Sequence, residues 1–224
     1  MAAAAASAFA AKSVLVKQIF QYPVDPLSLL SLRMLLALPF FLWIGFRGAP
    51  LSARDKIRLL LLGGLGYYLS SLLDFKGLQL ISAGLERLVL FTHPSLVVLL
   101  GWLLWKEPLP AKILPSLGIT WLGVGLAMGP EVHWGDSMQV MQGIGFVLAS
   151  AFTYALYLLK AGELMVRLGG QRVSALATSV GTGFLLIHLF LTHPADTLLH
   201  LPLPVYLLCT LLSLGATVLP ILLL

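Results

Sequence analysis

The stretch LVLFTHPSLVVLLGWLLW, residues 88–105, lies between Arg87 and Lys106 and contains no Asp, Glu, Lys or Arg. A helix that crosses the hydrocarbon core of a bilayer needs about 20 mostly apolar residues. Uncharged stretches recur at 59–73, 113–130, 137–159, 173–195 and 197–224. Together with two apolar stretches near the N-terminus, they predict eight transmembrane helices near 2–20, 27–46, 57–79, 84–104, 111–129, 141–160, 172–192 and 204–224.

The predicted fold class is therefore all-α, a polytopic transmembrane helix bundle. Apolar runs such as residues 59–62, which are four leucines, do not alternate in polarity as the strands of a lipid-facing barrel do. The composition agrees, because 59% of the 224 residues are hydrophobic and 10% are charged. Soluble domains have about 45–50% apolar and about 25% charged residues. A water-soluble or disordered chain is thereby excluded.

The net charge of +5 does not indicate nucleic-acid binding, because no basic stripe with interleaved aromatic residues is present. The basic residues instead follow the predicted topology. Lys and Arg concentrate between predicted helices 2 and 3, 4 and 5, and 6 and 7, whereas the connections at 131–136 and 193–203 contain none. Cytoplasmic loops of membrane proteins carry an excess of Lys and Arg. We therefore expect a multi-pass protein of the cell membrane with its N-terminus in the cytoplasm.

The first apolar segment is interpreted as a transmembrane helix. A secretory signal peptide is the alternative, but residues 1–11 lack a positive region. Lys12 and Lys17 also fall where the apolar core of a signal peptide would lie. The single cysteine, Cys209, permits no intrachain disulfide.

Two halves of the chain share short sequences. Residues 6–9, Ala-Ser-Ala-Phe, recur at 149–152, and Leu65-Gly66 recurs as Leu214-Gly215. An odd number of spans per repeat inverts the second copy, and inverted repeats are typical of transporters. We predict a five-helix repeat over 1–130 and a second over 141–224 that is truncated after its third helix. The chain is interpreted as a fragment lacking the last two of ten helices.

Several motifs resemble the EamA family of the drug/metabolite transporter superfamily. They are KSVLVK at 12–17, LLSLR at 29–33, GLQLISAGLER at 77–87, and KEPL at 106–109 before the Gly-rich predicted helix 5. The resemblance implies ten helices in two inverted five-helix repeats. It also implies export or import of small metabolites, across a membrane of the bacterial inner-membrane type, without naming a substrate.

Lys12 and Arg33 fall inside predicted spans, where a charge costs from about 2.5 to above 10 kcal/mol. We predict that they line a water-filled cavity and attract an anionic group of the substrate. Snorkelling, or a structural pair with a carboxylate or a carbonyl, is the alternative. Tyr67, Trp121 and Tyr154 are predicted to line the same cavity, or else to pack helices together.

His93 is a further predicted cavity residue. Pro94 follows it, and a proline kinks a helix because it removes an intrahelical hydrogen bond. A histidine can also carry a proton near neutral pH. The alternative interpretation of His93 is a packed side chain with a satisfied hydrogen bond.

Four charged residues, Asp74, Lys76, Glu86 and Arg87, flank the short connection between predicted helices 3 and 4. We predict that they gate the outer mouth of the cavity by exchanging partners. The alternative is a solvated turn with surface ion pairs worth about 0–1 kcal/mol each.

Enzymatic motifs are not found: the sequence has no HExxH, GxSxG or phosphate-binding loop. The spacing of His188, His193, Asp196 and His200 is too irregular to predict a metal site. We expect no enzymatic activity, no cofactor and no metal.

The predicted function is a membrane transporter that moves a small metabolite, amino acid-like or a similar polar solute, across the plasma membrane by alternating access. The alternative is a non-transporting membrane scaffold or assembly subunit, for which a sealed bundle without a water-filled cavity is expected. The expected partners are a small-molecule substrate and the lipid bilayer, and a homodimer is left open.

Overall fold

A computed structural model describes residues 12–48, 50–106, 113–134 and 137–222. Within these ranges the chain forms helices joined by short connections and no β-strand, which confirms the predicted all-α bundle. Residues 2–11 of the first helix, which the sequence predicts over 2–20, lie outside the described residues.

The helices in chain order are α1 (12–19), α2 (Pro26–Gly45), α3 (Ala53–Leu62), α4 (Ser70–Leu80), α5 (Ala83–Leu90), α6 (His93–Trp105), α7 (Leu114–Trp134), α8 (Ser137–Leu168), α9 (Gly170–Thr192), α10 (Leu203–Ser213) and α11 (Leu219–Leu222). Two π-helical segments join neighbours into continuous rods: π1 (Gly63–Leu69) lies between α3 and α4, and π2 (Leu214–Val218) lies between α10 and α11. The described ranges therefore contain eight helical passages, each of which overlaps one predicted span.

Side-chain caps fix where several helices begin. The Asp25 carboxylate accepts a hydrogen bond of 2.9 Å from the N–H of Leu27 at the start of α2. The Ser82 hydroxyl accepts one of 3.1 Å from the N–H of Leu85 at the start of α5. Such caps satisfy backbone donors that have no partner within the helix. The helix is also interrupted just before Pro94: α5 ends at Leu90 and α6 begins at His93, with Pro94 in its first turn.

Helix α8 is longer than the predicted span of 141–160. Its 32 residues measure about 48 Å, whereas the hydrocarbon core is about 30 Å thick. The extra turns form because Ala161 and Leu164 pack into one apolar cluster with Leu59 of α3. The charge at Lys160 therefore does not mark the end of the helix.

Helices α8 and α9 occupy the centre of the bundle, with α4 packed along α8, and α2 and π1 packed along α9. Close approach of α4 and α8 depends on glycine. A Cβ atom added at Gly77 would lie 2.5 Å from Cγ2 of Val147 and 2.8 Å from the carbonyl oxygen of Gly143. No side chain fits there without moving a backbone.

Four helical stretches among the described residues are long and apolar enough to cross a membrane: Pro26–Gly45, Ser137–Leu168, Gly170–Thr192 and, with α5 and α6 taken together, Ala83–Leu104. Shorter apolar helices run over Leu114–Met128 and Leu203–Val218. Large apolar side chains cover the outside of the bundle, including Leu126 at 79% and Leu191 at 80% exposure. Such a surface suits lipid rather than water.

The connections fall at two opposite ends of the bundle. The Arg172 Nε donates a hydrogen bond of 3.2 Å to the Gly45 carbonyl, which brings the connections at 46–52 and 169 to one end. At the other end His193 Nε2 lies 3.7 Å from an Asp25 carboxylate oxygen. The first end, called the basic face below, carries Arg47, Arg54, Lys56, Arg58, Arg167 and Arg172.

Candidate functional site

A cavity of about 800 Å³ lies inside the bundle. Its wall is built from both halves of the chain: α1, α2, π1, α4, α5 and α6 on one side, and α8, α9, π2 and α11 on the other. A volume of this size is in the usual range of small-molecule sites. The cavity is thus the candidate functional site.

Most of the predicted site residues meet in this cavity. Its lining includes Lys12, Arg33, Tyr67, His93 and Tyr154, together with Asp74 and Arg87 of the predicted gate. Glu86 does not reach the cavity surface. It is fully buried, directly behind the lining residues Lys12 and Arg87.

Trp121 and Lys76 do not lie in the site. Helix α7 buries Val124 against its neighbours and leaves Trp121 38% exposed, outside the cavity lining. Lys76 is exposed because it lies two residues after Asp74 on α4, a rotation of about 200° around the helix. Three of the four charges of the predicted gate therefore lie at the cavity wall or directly behind it, and the aromatic lining excludes Trp121.

Arg33 is held at the cavity wall by contacts with two other helices. Its side chain is 6% exposed, and its Nε donates a hydrogen bond of 2.9 Å to Oγ1 of Thr217 in π2. Its guanidinium carbon lies 5.5 Å from the centre of the Phe75 ring. A cation over an aromatic face is stabilised by the negative charge density of the ring. These contacts fix the guanidinium at the cavity surface.

Lys12 also lies near Phe75, with its Nζ 5.7 Å from the ring centre. It forms an ion pair with Asp74, and its Nζ lies 3.5 Å from Oε1 of Glu86. The cation of α1 therefore joins α4 and α5. Burial of an unpaired ammonium in a bilayer is costly, and the two carboxyl groups compensate for it.

Glu86 has further contacts beyond Lys12. Ser13 donates a hydrogen bond of 2.7 Å from its hydroxyl to Oε2 of Glu86, and the Arg87 Nε lies 3.6 Å from the same oxygen. This network of Lys12, Ser13, Asp74, Glu86 and Arg87 is called the charge cluster below. It ties α1, α4 and α5 together.

A cluster of aromatic side chains forms the other part of the wall. The hydroxyl groups of Tyr67 and Tyr157 are 3.3 Å apart, and the Tyr154 and Tyr157 rings lie 5.4 Å apart. Tyr154 also packs edge-to-face on His93, with ring centres 5.7 Å apart. Because Nδ1 of His93 lies 2.5 Å from the Leu90 carbonyl, which can only accept, this nitrogen carries the proton. His93 is thus both hydrogen-bonded and exposed to the cavity.

Both π-helical segments contribute to the lining, through Gly66 and Tyr67 of π1 and through Ala216 and Thr217 of π2. π-Helical turns are rare and frequently occur at functional sites. Sequence reasoning missed them, together with Phe75 and Thr217. The repeated Leu-Gly pair, which falls within both segments, is the signal that could have indicated them.

The cavity extends toward the basic face. Its lining includes Gly169, Gly170 and Gln171 at the junction of α8 and α9. None of the described residues in the connections at 20–25, 81–82 and 193–202, at the opposite end, lines it. The charge cluster is nearer that opposite end, because Asp74 and Glu86 lie on the helical turns next to the 81–82 connection.

Comparison with known proteins gives three findings. A family model described as the EamA-like transporter family matches residues 1–129. The uncharacterized transporter YcbK of Bacillus subtilis (strain 168) is 31% identical over 188 residues, which are 80% of this chain and 59% of that protein. The chain thus spans less than two thirds of the length of this curated relative. A crystal structure with 19% sequence identity matches with a TM-score of 0.63, over 97% of this chain and 74% of that chain, and shows a shared fold.

Proposed function

The chain belongs to the EamA-like transporter family, and from this premise we propose that its cavity binds a small polar metabolite and carries it across the membrane by alternating access. The observation that carries the proposal is the pair of buried cations, Lys12 and Arg33, at the wall of a cavity of about 800 Å³. A membrane scaffold has no need to hold two costly charges around an internal space. The cavity therefore favours transport over the scaffold alternative.

The proposed substrate carries an anionic group, which Arg33 and Lys12 attract. The tyrosines at the other part of the wall offer flat apolar surfaces with hydroxyl groups, against which the rest of the solute packs. An amino acid-like metabolite or a similar small polar solute fits this combination of surfaces. Orientation of the solute by a few polar groups in a mostly apolar pocket is typical of small-molecule sites.

The proposed orientation places the basic face in the cytoplasm, together with the N-terminus. It rests on the excess of Lys and Arg at that end. The proposed location is a membrane of the bacterial inner-membrane type. Because the cavity extends toward the basic face, the structure then corresponds to a state open to the cytoplasm.

Alternating access is proposed to arise from movement between the two repeats, over 1–130 and 141–224. The π-helical segments support this division, since each interrupts the third helix of its repeat and each lines the cavity. Their packing is also reciprocal: π1 contacts α9 of the second repeat, and π2 contacts α2 of the first. Repeats that move about a site near the midplane are a common transporter design.

The outer gate is proposed to be the charge cluster. Asp74, Glu86 and Arg87 are its predicted members, and Lys12 takes the place of the exposed Lys76. Their ion pairs hold α1, α4 and α5 together at the end where the cavity is closed. Opening toward that end requires these pairs to exchange partners.

The experiment is solute exchange in proteoliposomes containing the purified 224-residue chain, with a panel of radiolabelled amino acids and small carboxylates. We expect exchange of at least one solute in the wild type. Ser71→Trp, which fills the cavity from α4, should abolish exchange. Leu207→Trp is the matched control, because Leu207 is 65% exposed on the outside of α10. Absence of exchange for the whole panel, or equal exchange in the two variants, contradicts the proposal.

A further inference from the structure

Asp74 and Glu86 form a buried pair of carboxyl groups. The neighbouring residues that the structure describes do not provide a hydrogen-bond partner for every oxygen of this pair. The Asp74 residue is 4% exposed and Glu86 is fully buried. Among the described residues, neither Oδ1 of Asp74 nor Oε1 of Glu86 has a hydrogen-bond partner. The two side chains nonetheless share one counterion, because Oδ2 of Asp74 and Oε1 of Glu86 both contact the ammonium of Lys12. When both groups are ionised, neither can donate a hydrogen bond, because a carboxylate can only accept.

A single proton removes this difficulty. When one carboxyl group is protonated it becomes a hydrogen-bond donor as well as an acceptor. Two carboxyl groups that share a site also do not both ionise readily. The cations oppose protonation, but their approach to Glu86 is long, at 3.5 Å for Lys12 and 3.6 Å for Arg87. Protonation of one carboxyl group therefore does not require breaking a short ion pair of Glu86.

We propose that the carboxyl pair formed by Asp74 and Glu86 is a proton-binding site. The charged groups that face it are Lys12 from α1 and Arg87 from α5, with Arg33 of α2 next to the ring of Phe75. Ser13 donates to Glu86 from α1. Asp74 lines the cavity and Glu86 lies behind it, so the proton enters from cavity water through Asp74.

This site couples the proton to an anionic solute, a consequence that rests on the proposed function. Lys12 is both the counterion of the carboxyl pair and a cation of the cavity wall. Protonation of one carboxyl group removes its negative charge and weakens its attraction for Lys12. The ammonium of Lys12 then attracts the anionic solute more strongly. One proton bound with one monovalent anion leaves the net charge of the cavity unchanged. By linkage, each ligand then raises the affinity for the other by the same factor.

The test is infrared difference spectroscopy of the purified chain in lipid nanodiscs, without any solute, over a pH titration. We expect a carboxylic acid band from this pair to appear as the pH is lowered. The band should disappear in Glu86→Gln and in Asp74→Asn. It should remain in Glu163→Gln, whose side chain is 71% exposed at the basic face.

Absence of such a band in the wild type overturns the proton site, whatever the folding of the variants. A band that persists unchanged in a folded Glu86→Gln or Asp74→Asn variant also overturns it. The coupling is tested by measuring exchange of a panel solute with and without a pH gradient. A gradient that accelerates exchange in the wild type but not in Glu86→Gln supports coupling. A gradient that has no effect on exchange in the wild type refutes it. Because the infrared measurement needs no solute, failure of the proton site and failure of transport are distinguishable.

Discussion

Arg33 of α2 and Thr217 of π2 are hydrogen-bonded to each other at the cavity wall. The Arg33 Nε donates to Oγ1 of Thr217 across 2.9 Å, although 184 positions separate the two residues in sequence. Helix α2 lies in the first proposed repeat and π2 lies in the second. The contact therefore orients a cation of one repeat by a hydroxyl group of the other, at the surface where the proposed solute binds.

The first prediction concerns this contact. Thr217→Val keeps the shape of the side chain but removes the acceptor, and a hydrogen bond to a charged group is worth about 1.5–3 kcal/mol. We expect solute exchange at low concentration to fall by about 10-fold or more, since 1.4 kcal/mol corresponds to a factor of ten. Thr210→Val on exposed α10 is the control, because Thr210 bonds only the Tyr206 carbonyl of its own helix in the described contacts. Equal losses in both variants would falsify the role of Thr217.

The second prediction concerns the crossing of α4 and α8. Gly77→Ala places a methyl group against the Gly143 carbonyl and Val147, and overpacking of this kind costs about 1–3 kcal/mol. Gly118→Ala is the matched control, because no atom lies within 4 Å of an added Cβ there. Alanine should be neutral at Gly118, or stabilising by up to about 1 kcal/mol. The measurement is the midpoint of thermal unfolding of both variants and the wild type in detergent. A Gly77→Ala midpoint equal to that of the wild type contradicts the close crossing.

The third prediction concerns acid stability at the basic face. Hydrogen bonds from Ser52 and from Arg167 hold the pKa of Asp55 below its usual value of 3.8. The ionised form is therefore favoured in the folded chain. Its stabilising contribution is present above the usual value and is lost as the pH falls through the lowered one.

The corresponding measurement is the unfolding midpoint as a function of pH for the wild type and Asp55→Asn. Below about pH 4 the wild type should lose stability more steeply than Asp55→Asn, which has no carboxyl group to protonate. Glu163→Gln serves as a control for loss of an exposed carboxylate at the same face. If the unfolding midpoints of the wild type and Asp55→Asn decrease equally as the pH is lowered, Asp55 does not make this contribution.

The fourth prediction concerns orientation. After Cys209, which is buried, is replaced by alanine, single cysteines are introduced at Ala53 and at Ala195. Both positions are exposed, at the basic face and at the opposite face respectively. In intact cells an impermeant thiol reagent should label the cysteine at position 195 and spare that at position 53. The reverse pattern places the basic face outside.

The sequence was sufficient to predict the helices and part of the cavity, for a physical reason. A charge inside an apolar span is costly, so Lys12 and Arg33 had to find partners or water, and both line the cavity. The face that a helical residue presents depends on its neighbours, which the sequence does not list. For this reason Trp121 and Lys76 were placed in the site although they lie outside it.

The contacts that hold the cations were not predictable in the same way. Phe75 is an apolar residue within an apolar span, and its contacts with both Lys12 and Arg33 exist only once α1, α2 and α4 are packed. The π-helical turns involve a change of backbone hydrogen bonding that residue patterns indicate weakly. Thr217 reaches Arg33 from within such a turn.

The central claim is that the cavity carries an anionic solute held by Arg33, and the exchange rate in proteoliposomes tests it most directly. The variants to compare are Arg33→Ala, Arg33→Lys and the control Arg47→Ala. Arg47 follows the end of the same helix and does not line the cavity. It stacks on Trp43, with its guanidinium carbon 3.6 Å from the ring centre. We predict that Arg33→Ala lowers exchange at least about tenfold, as loss of a charged contact of about 1.4 kcal/mol or more requires. Arg33→Lys should restore part of the rate, and Arg47→Ala should exchange like the wild type. Exchange at the wild-type rate in a folded Arg33→Ala protein would contradict the account.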